Sequence, residues 1–200
     1  MADFTIKTYD SKLHNIYLRG EVNEDMWANL VDKINEIKSS DKEIDETNIG
    51  TLSLFGINVQ AIHPSINIYL STYGGNIYDM LSIYDEIKSL TKEYVVNIYC
   101  IGKVMSAGTI IMLSVDLEHR FAYPNTTFMF HELSGFNIGK IKDIEENVDE
   151  LKRLHKIMWN IYRENTKIPE DKLEDLYKCK KDWYLNSEQA KKYKIISKII

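Results

Sequence analysis

The sequence predicts an α/β fold built on a parallel sheet, and two stretches carry that expectation. The run "INIYLS" (Ile66–Ser71) is dense in β-forming residues and breaks at "TYGG" (Thr72–Gly75). It is followed by "NIYDMLSIYDEIKSL", which puts Ile77, Met80, Leu81, Tyr84, Ile87 and Leu90 on one helical face. The run "YVVNIYCIG" (Tyr94–Gly102) repeats the pattern: a buried strand, a glycine, then an apolar helix starting at Ser106. Strand–glycine–helix occurring twice reads as βαβα, which places the strands parallel.

The remaining elements follow in chain order. "NIYLRG" (Asn15–Gly20) alternates apolar and polar residues and ends at glycine, a short strand. In "EDMWANLVDKINEIKSS" the residues Met26, Leu30, Val31, Ile34 and Ile37 recur at spacings of three and four, an amphipathic helix. The polar stretch Ser39–Gly56 is expected to be a loop or small insertion, and residues 39–65 stand as an insertion of undefined structure. "RFAYPNTTFMFH" (Arg120–His131) reads as two short strands around the turn pair Pro124–Asn125. Lys140–Asn165 is one long helix with strongly charged outer faces, of the kind that stands away from a core and packs against another subunit. Pro169–Lys178 is a shorter helix with Pro169 in its first turn. "DWYLNSEQAKKYKII" closes the chain as a strand and a helix capped by Ser187.

Composition narrows the function classes. The chain has 200 residues, 44% hydrophobic and 28% charged, enough for one sizeable core. A net charge of −5 gives no basic field for nucleic acid. No apolar run reaches the ~18 residues needed to cross a bilayer, and the first residues lack the pattern of a secretory signal. Cys100 and Cys179 show no metal spacing, which fits a reducing cytoplasm and neither a disulfide framework nor a metal site.

In open α/β sheets reactive groups gather at the carboxyl ends of strands. Three features lie there. Ser106 opens a helix, whose first N–H groups are free and carry partial positive charge, as an oxyanion requires. The alternative is a serine that merely caps that helix. "STYGG" offers unhindered backbone N–H groups, or is a plain βα turn. His131 ends the apolar run "TTFMFH" beside a glycine-containing loop. His14, His63, His119 and His155 have no such setting, so His131 ranks first as the base a weak serine nucleophile needs. A base needs an orienting carboxylate, and spacing alone cannot choose among 30 acidic residues.

Taken together, these stretches resemble the Clp protease proteolytic subunit, the serine peptidase of the Clp–crotonase fold. "NIYLRGEV" is similar to the first strand of that family. "INIYLSTYGGNIYDMLSIYDEI" resembles its "YINSPGG…AGxxIYDTM" segment, and "YCIGKVMSAGTIIML" its "CxGxAASMGAxLL" segment. "RFAYPNTTFMFHELSG" resembles "RxxLPNSxxMIHQPxGG", and "DWYLNSEQAKKYKIISKI" resembles "DxFMSAxEAxEYGLIDxV". The resemblance runs from about Asn15 to Ile200, with Ser39–Ser65 poorly matched.

The resemblance implies a single domain over 1–200 with a repeated β-β-α spiral core. Residues 15–138 and 180–200 would form the head, and 139–179 a protruding handle region. Ser106 would be the nucleophile, His131 the general base and Asp182 the acid that orients it. Gly75 and Ala107 would supply the backbone N–H groups of the oxyanion hole. The implied activity is endopeptidase cleavage of unfolded proteins inside an oligomeric chamber of two stacked heptamers, a tetradecamer. A hexameric Clp ATPase would feed it, so ATP would act through the partner and this chain would need no cofactor. Cytoplasmic location is implied, with no nucleic-acid or membrane partner.

Departures from the family pattern are local. Its proline in "SPGG" is Tyr73, "HQPxGG" is "HELSGF" with only Gly135 kept, the residue after the nucleophile is Ala107 rather than Met, and the glycine of "YGLID" is Lys194. Three rival readings share the fold: a phage prohead protease that processes a scaffold without an ATPase, a non-catalytic ring subunit, and a crotonase-like acyl-CoA enzyme.

Overall fold

The computed structural model describes residues 7–57, 61–133, 140–179 and 182–200. Its order is β1 (Asn15–Val22), α1 (Glu24–Ser53), β2 (Ile66–Gly75), α2 (Ile77–Leu90), β3 (Val96–Met105), α3 (Ala107–Met112), β4 (Arg120–Ala122), β5 (Thr127–Phe130), α4 (Ile141–Asn165), α5 (Glu170–Cys179), β6 (Trp183–Asn186), α6 (Ser187–Lys192) and β7 (Lys198–Ile199). Strands β1, β2, β3, β4 and β7 lie side by side, all parallel. Strand β5 also runs parallel to β3, further along it, and carries β6 antiparallel on its other side. The mixed α/β class and parallel βαβα unit expected from sequence are what the chain forms.

Parallel register sorts the side chains by face. Ile16, Leu18, Ile66, Ile68, Leu70, Val96, Ile98 and Cys100 point into the core. They meet the apolar stripe of α2 (Met80, Ile83, Ile87, Leu90) and the wholly buried α3. Complete burial pushes the Cys100 thiol up, so it is an inert packing group. On the opposite face Tyr17, Tyr69, Tyr99 and Phe121 stack in one row across four strands, with ring centroids 5.0, 5.2 and 5.1 Å apart. Beside it runs a polar row: Asn67 donates to Asn15 at 3.3 Å, Asn97 to Asn67 at 3.1 Å, and His119 Nδ1 lies 3.0 Å from the Asn97 side-chain oxygen. These strands are therefore fully buried on one face, and cross-strand ladders stabilise the other.

The stretch read as a loop or insertion from Ser39 onward is helical through Ser53, the second half of a 30-residue α1. The reason lies in two carboxylates one turn apart. Asp41, buried, accepts from Tyr94 at 3.0 Å and lies 3.0 Å from His14 Nε2. Asp45 accepts from Tyr9 and lies 2.8 Å from His63 Nε2. The rings interlock, with His63 stacked on Tyr94 at 5.0 Å and edge-on to Tyr9 at 5.5 Å. Three segments distant in sequence, at residues 9–14, 63 and 94, thus converge on one polar helix face. Asp charges at i and i+4 look like a solvated surface in sequence, and only tertiary partners reveal them as anchors.

One smaller correction concerns the C-terminal helix. Its cap is Asn186, not Ser187. Asn186 accepts from Gln189 N at 2.9 Å while the Gln189 side chain accepts from Asn186 N at 3.0 Å, a reciprocal capping box. Ser187 is buried and donates to the Tyr123 carbonyl at 2.8 Å. At the other end Lys194 adopts φ 52, with Lys194 N bonded to Lys191 O at 3.0 Å and Ile195 N to Ala190 O at 2.9 Å. That is a Schellman ending with lysine where glycine is preferred. Lys194→Gly is therefore expected to stabilise the chain by about 1 kcal/mol, raising Tm by roughly 2–4 °C in a thermal melt.

Candidate active site

Strand β3 changes partner along its length. Ile98–Cys100 pair with β4, and Lys103–Met105 pair with β5. The Cys100 carbonyl bridges the change, accepting from Tyr123 N at 3.0 Å and from the Thr126 hydroxyl at 2.8 Å. The Pro124–Asn125 turn lies between, so the two expected short strands both follow β3 rather than pairing with each other.

This arrangement joins Ser106 to His131. Met105 lies opposite Met129, and Ser106 N donates to the Met129 carbonyl at 2.8 Å. His131 follows two residues later, beside the serine. Its Nε2 lies 2.6 Å from Ser106 Oγ, across a sequence separation of 25 residues. Ser106 stands at the cap position of α3, but its side chain makes no capping bond. Its backbone has φ 52 and ψ −122, a conformation that costs a non-glycine residue about 1–3 kcal/mol and is kept only where surroundings enforce it. They do: the Ser106 carbonyl accepts from Thr109 N at 2.9 Å and from the Thr109 hydroxyl at 2.7 Å. Between the capping serine and the serine beside a base, the geometry selects the second.

Three glycines permit close approaches around the site, and at Gly74 the neighbour is the serine itself. A Cβ at Gly74, where φ is 108, would lie 2.6 Å from Ser106 Cβ and 3.0 Å from its Oγ. A Cβ at Gly75 would fall 2.1 Å from the Val22 carbonyl oxygen, and one at Gly108 would fall 2.5 Å from Thr72 Cγ2. The buried Thr72 hydroxyl donates to Gly20 O at 2.5 Å and accepts from Gly74 N at 2.9 Å, pinning this loop to β1. Strand β2 thus runs through the "TYGG" segment to Gly75, with a register slip against β3, rather than breaking there. Ala107 is buried at the first position of α3, where a helix leaves its N–H without an intrahelical acceptor.

Asp182 is placed differently. It precedes β6, whose Trp183 lies opposite Phe130, so the backbone brings Asp182 abreast of His131. Its side chain is exposed and makes no hydrogen bond to His131. Gly135 lies outside the described residues. Among those described, no three histidine, cysteine or acidic side chains are placed to share a metal ion, and no helix is long and apolar enough to cross a membrane. A cavity of about 540 Å³ opens next to His131, between the following residues Glu132 and Leu133 and the α4 side chains Leu151, His155 and Trp159. Sequence reasoning missed Thr72, Gly74 and Thr109. Thr109 carried no signal, since one hydroxyl in an apolar helix reads as packing.

The family model described as Clp protease matches residues 18–200. The chain belongs to the Clp protease family. Similar curated proteins include the ATP-dependent Clp protease proteolytic subunit of Deinococcus radiodurans, 28% identical over 182 residues, covering 91% of this chain and 87% of that one. Proteolytic subunit 2 of Chlamydia muridarum is 30% identical over 184 residues, covering 91% and 88%. A mutant ClpP1 structure from Listeria monocytogenes superposes with TM-score 0.74 at 23% identity, covering 95% of this chain and 92% of that one. The chain is thus a proteolytic-subunit-type peptidase of the Clp family, as its motifs implied.

Proposed function

We propose that the chain is a serine endopeptidase in which Ser106, His131 and Asp182 act together. The observation that carries this is a serine held at positive φ whose hydroxyl meets His131 Nε2 at 2.6 Å instead of capping its helix. His131 removes the Ser106 proton as Oγ attacks the scissile carbonyl. The N–H groups of Gly75 and Ala107 receive the oxyanion. His131 then protonates the leaving amine, and water repeats the sequence on the acyl-enzyme. Asp182 turns its carboxylate to His131 Nδ1 in the working state, a movement of one exposed side chain. Catalytic hydrogen bonds of this kind commonly tighten only in the substrate complex. The reaction uses no metal or organic cofactor.

The proposal extends to assembly: stacked heptameric rings enclosing the sites, in the cytoplasm, with unfolded chains delivered by a hexameric Clp ATPase. Two features support it. The first nine residues of α4 are exposed, Ile141, Ile144 and Val148 among them, which suits a helix completed by another subunit. The curated relatives carry an ATP-dependent name. Mass measurement of the purified assembly, with peptide and folded-protein hydrolysis assayed with and without a Clp ATPase and ATP, tests the reading. Expected are a tetradecamer, peptide turnover without the ATPase, and protein turnover only with it. A monomer that degrades neither substrate in the presence of the ATPase would contradict it.

A further inference from the structure

On the reading of Ser106 and His131 as the reacting pair, we propose that Tyr162 of α4 is a positioning residue for both, acting through Thr109 on the serine and through Phe130 on the histidine. The hydroxyl of Thr109 has one proton, and it goes to the Ser106 carbonyl, which can only accept, at 2.7 Å. The Tyr162 hydroxyl lies 2.7 Å from the same Thr109 oxygen, so Tyr162 is the donor there. The result is a directed chain, Tyr162 O–H to Thr109 Oγ1 and Thr109 O–H to Ser106 O. Both side chains are buried, Thr109 fully and Tyr162 at 2% exposure. Burial raises the phenol well above its ordinary range, so it remains a proton donor throughout the working pH.

The second contact is through the ring. Tyr162 packs against Phe130 with centroids 5.4 Å apart, and Phe130 is the residue before His131. Phe130 also meets Trp183 at 5.5 Å, so it is held from the α4 side and the β6 side at once. One tyrosine therefore braces the serine carbonyl with its hydroxyl and the strand end carrying the base with its ring. The serine's conformation needs such a brace, because φ 52 is not one it holds by preference. A loss of this brace shifts Oγ relative to Nε2, and proton transfer depends steeply on that placement.

The test uses the assembled protein and reads kcat, KM and the rate of Ser106 phosphonylation by a fluorophosphonate. Tyr162→Phe keeps the ring and removes only the hydroxyl. Thr109→Val keeps the shape and removes the relay. Each is expected to lower kcat and the phosphonylation rate about fivefold, the scale of one hydrogen bond, with KM unchanged. The double variant should be no slower than Thr109→Val alone, and Thr109→Ser should recover most of the lost rate. Unchanged kcat in Tyr162→Phe, losses that multiply in the double variant, or no recovery with Thr109→Ser would overturn the proposal. Wild-type protein that the reagent fails to label at Ser106 would instead overturn the reading of the pair on which the proposal rests.

Discussion

Ser106→Ala is expected to abolish peptide hydrolysis while leaving fold and assembly intact. The two halves of that expectation have separate grounds. The chemical half follows from the loss of Oγ, which meets His131 at 2.6 Å. Removing a triad nucleophile lowers kcat by about 10⁴–10⁶, the remaining rate coming from binding and oxyanion contacts. The structural half follows from what the serine side chain does not do. It makes no capping bond, so alanine gives up no helix stabilisation. The backbone bonds from Ser106 N to Met129 O and from Thr109 N to Ser106 O are kept whatever the side chain. Turnover of a fluorogenic peptide checks the first half, and thermal melting with mass measurement the second. Wild-type turnover in the variant would remove Ser106 as nucleophile.

Asp41→Ala is expected to destabilise the chain by about 3–5 kcal/mol, the cost of breaking a buried hydrogen-bonded pair from one side. Asp41 is 1% exposed and His14 fully buried. Removing the carboxylate strands two buried donors, the Tyr94 hydroxyl and His14 Nε2. Burial together with the Asp41 and Asp45 carboxylates also pushes the Tyr94 phenol up, so it stays a donor and needs an acceptor. Glu43→Ala makes the control, since Glu43 pairs with Lys7 on an exposed surface and such pairs contribute at most about 1 kcal/mol. At roughly 2–4 °C per kcal/mol for a chain this size, Asp41→Ala should lower Tm by about 10 °C and Glu43→Ala by much less. Equal small shifts in both would show that the cluster on α1 does not anchor the converging segments.

What could be read from the sequence followed local periodicity. Strands β2 and β3 and helix α2 were legible because apolar residues recur at the spacing their geometry demands. Half of α1 was not, because its continuation past Ser39 rests on Asp41 and Asp45, which bind partners 18 to 53 residues away. The cap of α6 was misplaced by one residue because Asn186 and Ser187 are both capping types, and only the reciprocal bond with Gln189 separates them. In the site, Ser106 and His131 were legible from their places at strand ends and from family resemblance. Their approach depends on β3 exchanging β4 for β5 midway, a change that no residue pattern announces. The Tyr162–Thr109 relay was illegible for a similar reason, since each residue alone fits its helix as ordinary packing. Gly74 was passed over beside Gly75, although Gly74 is the glycine that touches the serine.

The most direct measurement of the central claim is covalent labelling. Native protein is treated with a fluorophosphonate, digested, and the adduct located by peptide mass. A single adduct on Ser106, absent from Ser106→Ala and greatly slowed in His131→Ala, is the expected result. No adduct, or one on another residue with Ser106 unmodified, would contradict the assignment of this serine and histidine as the reacting pair.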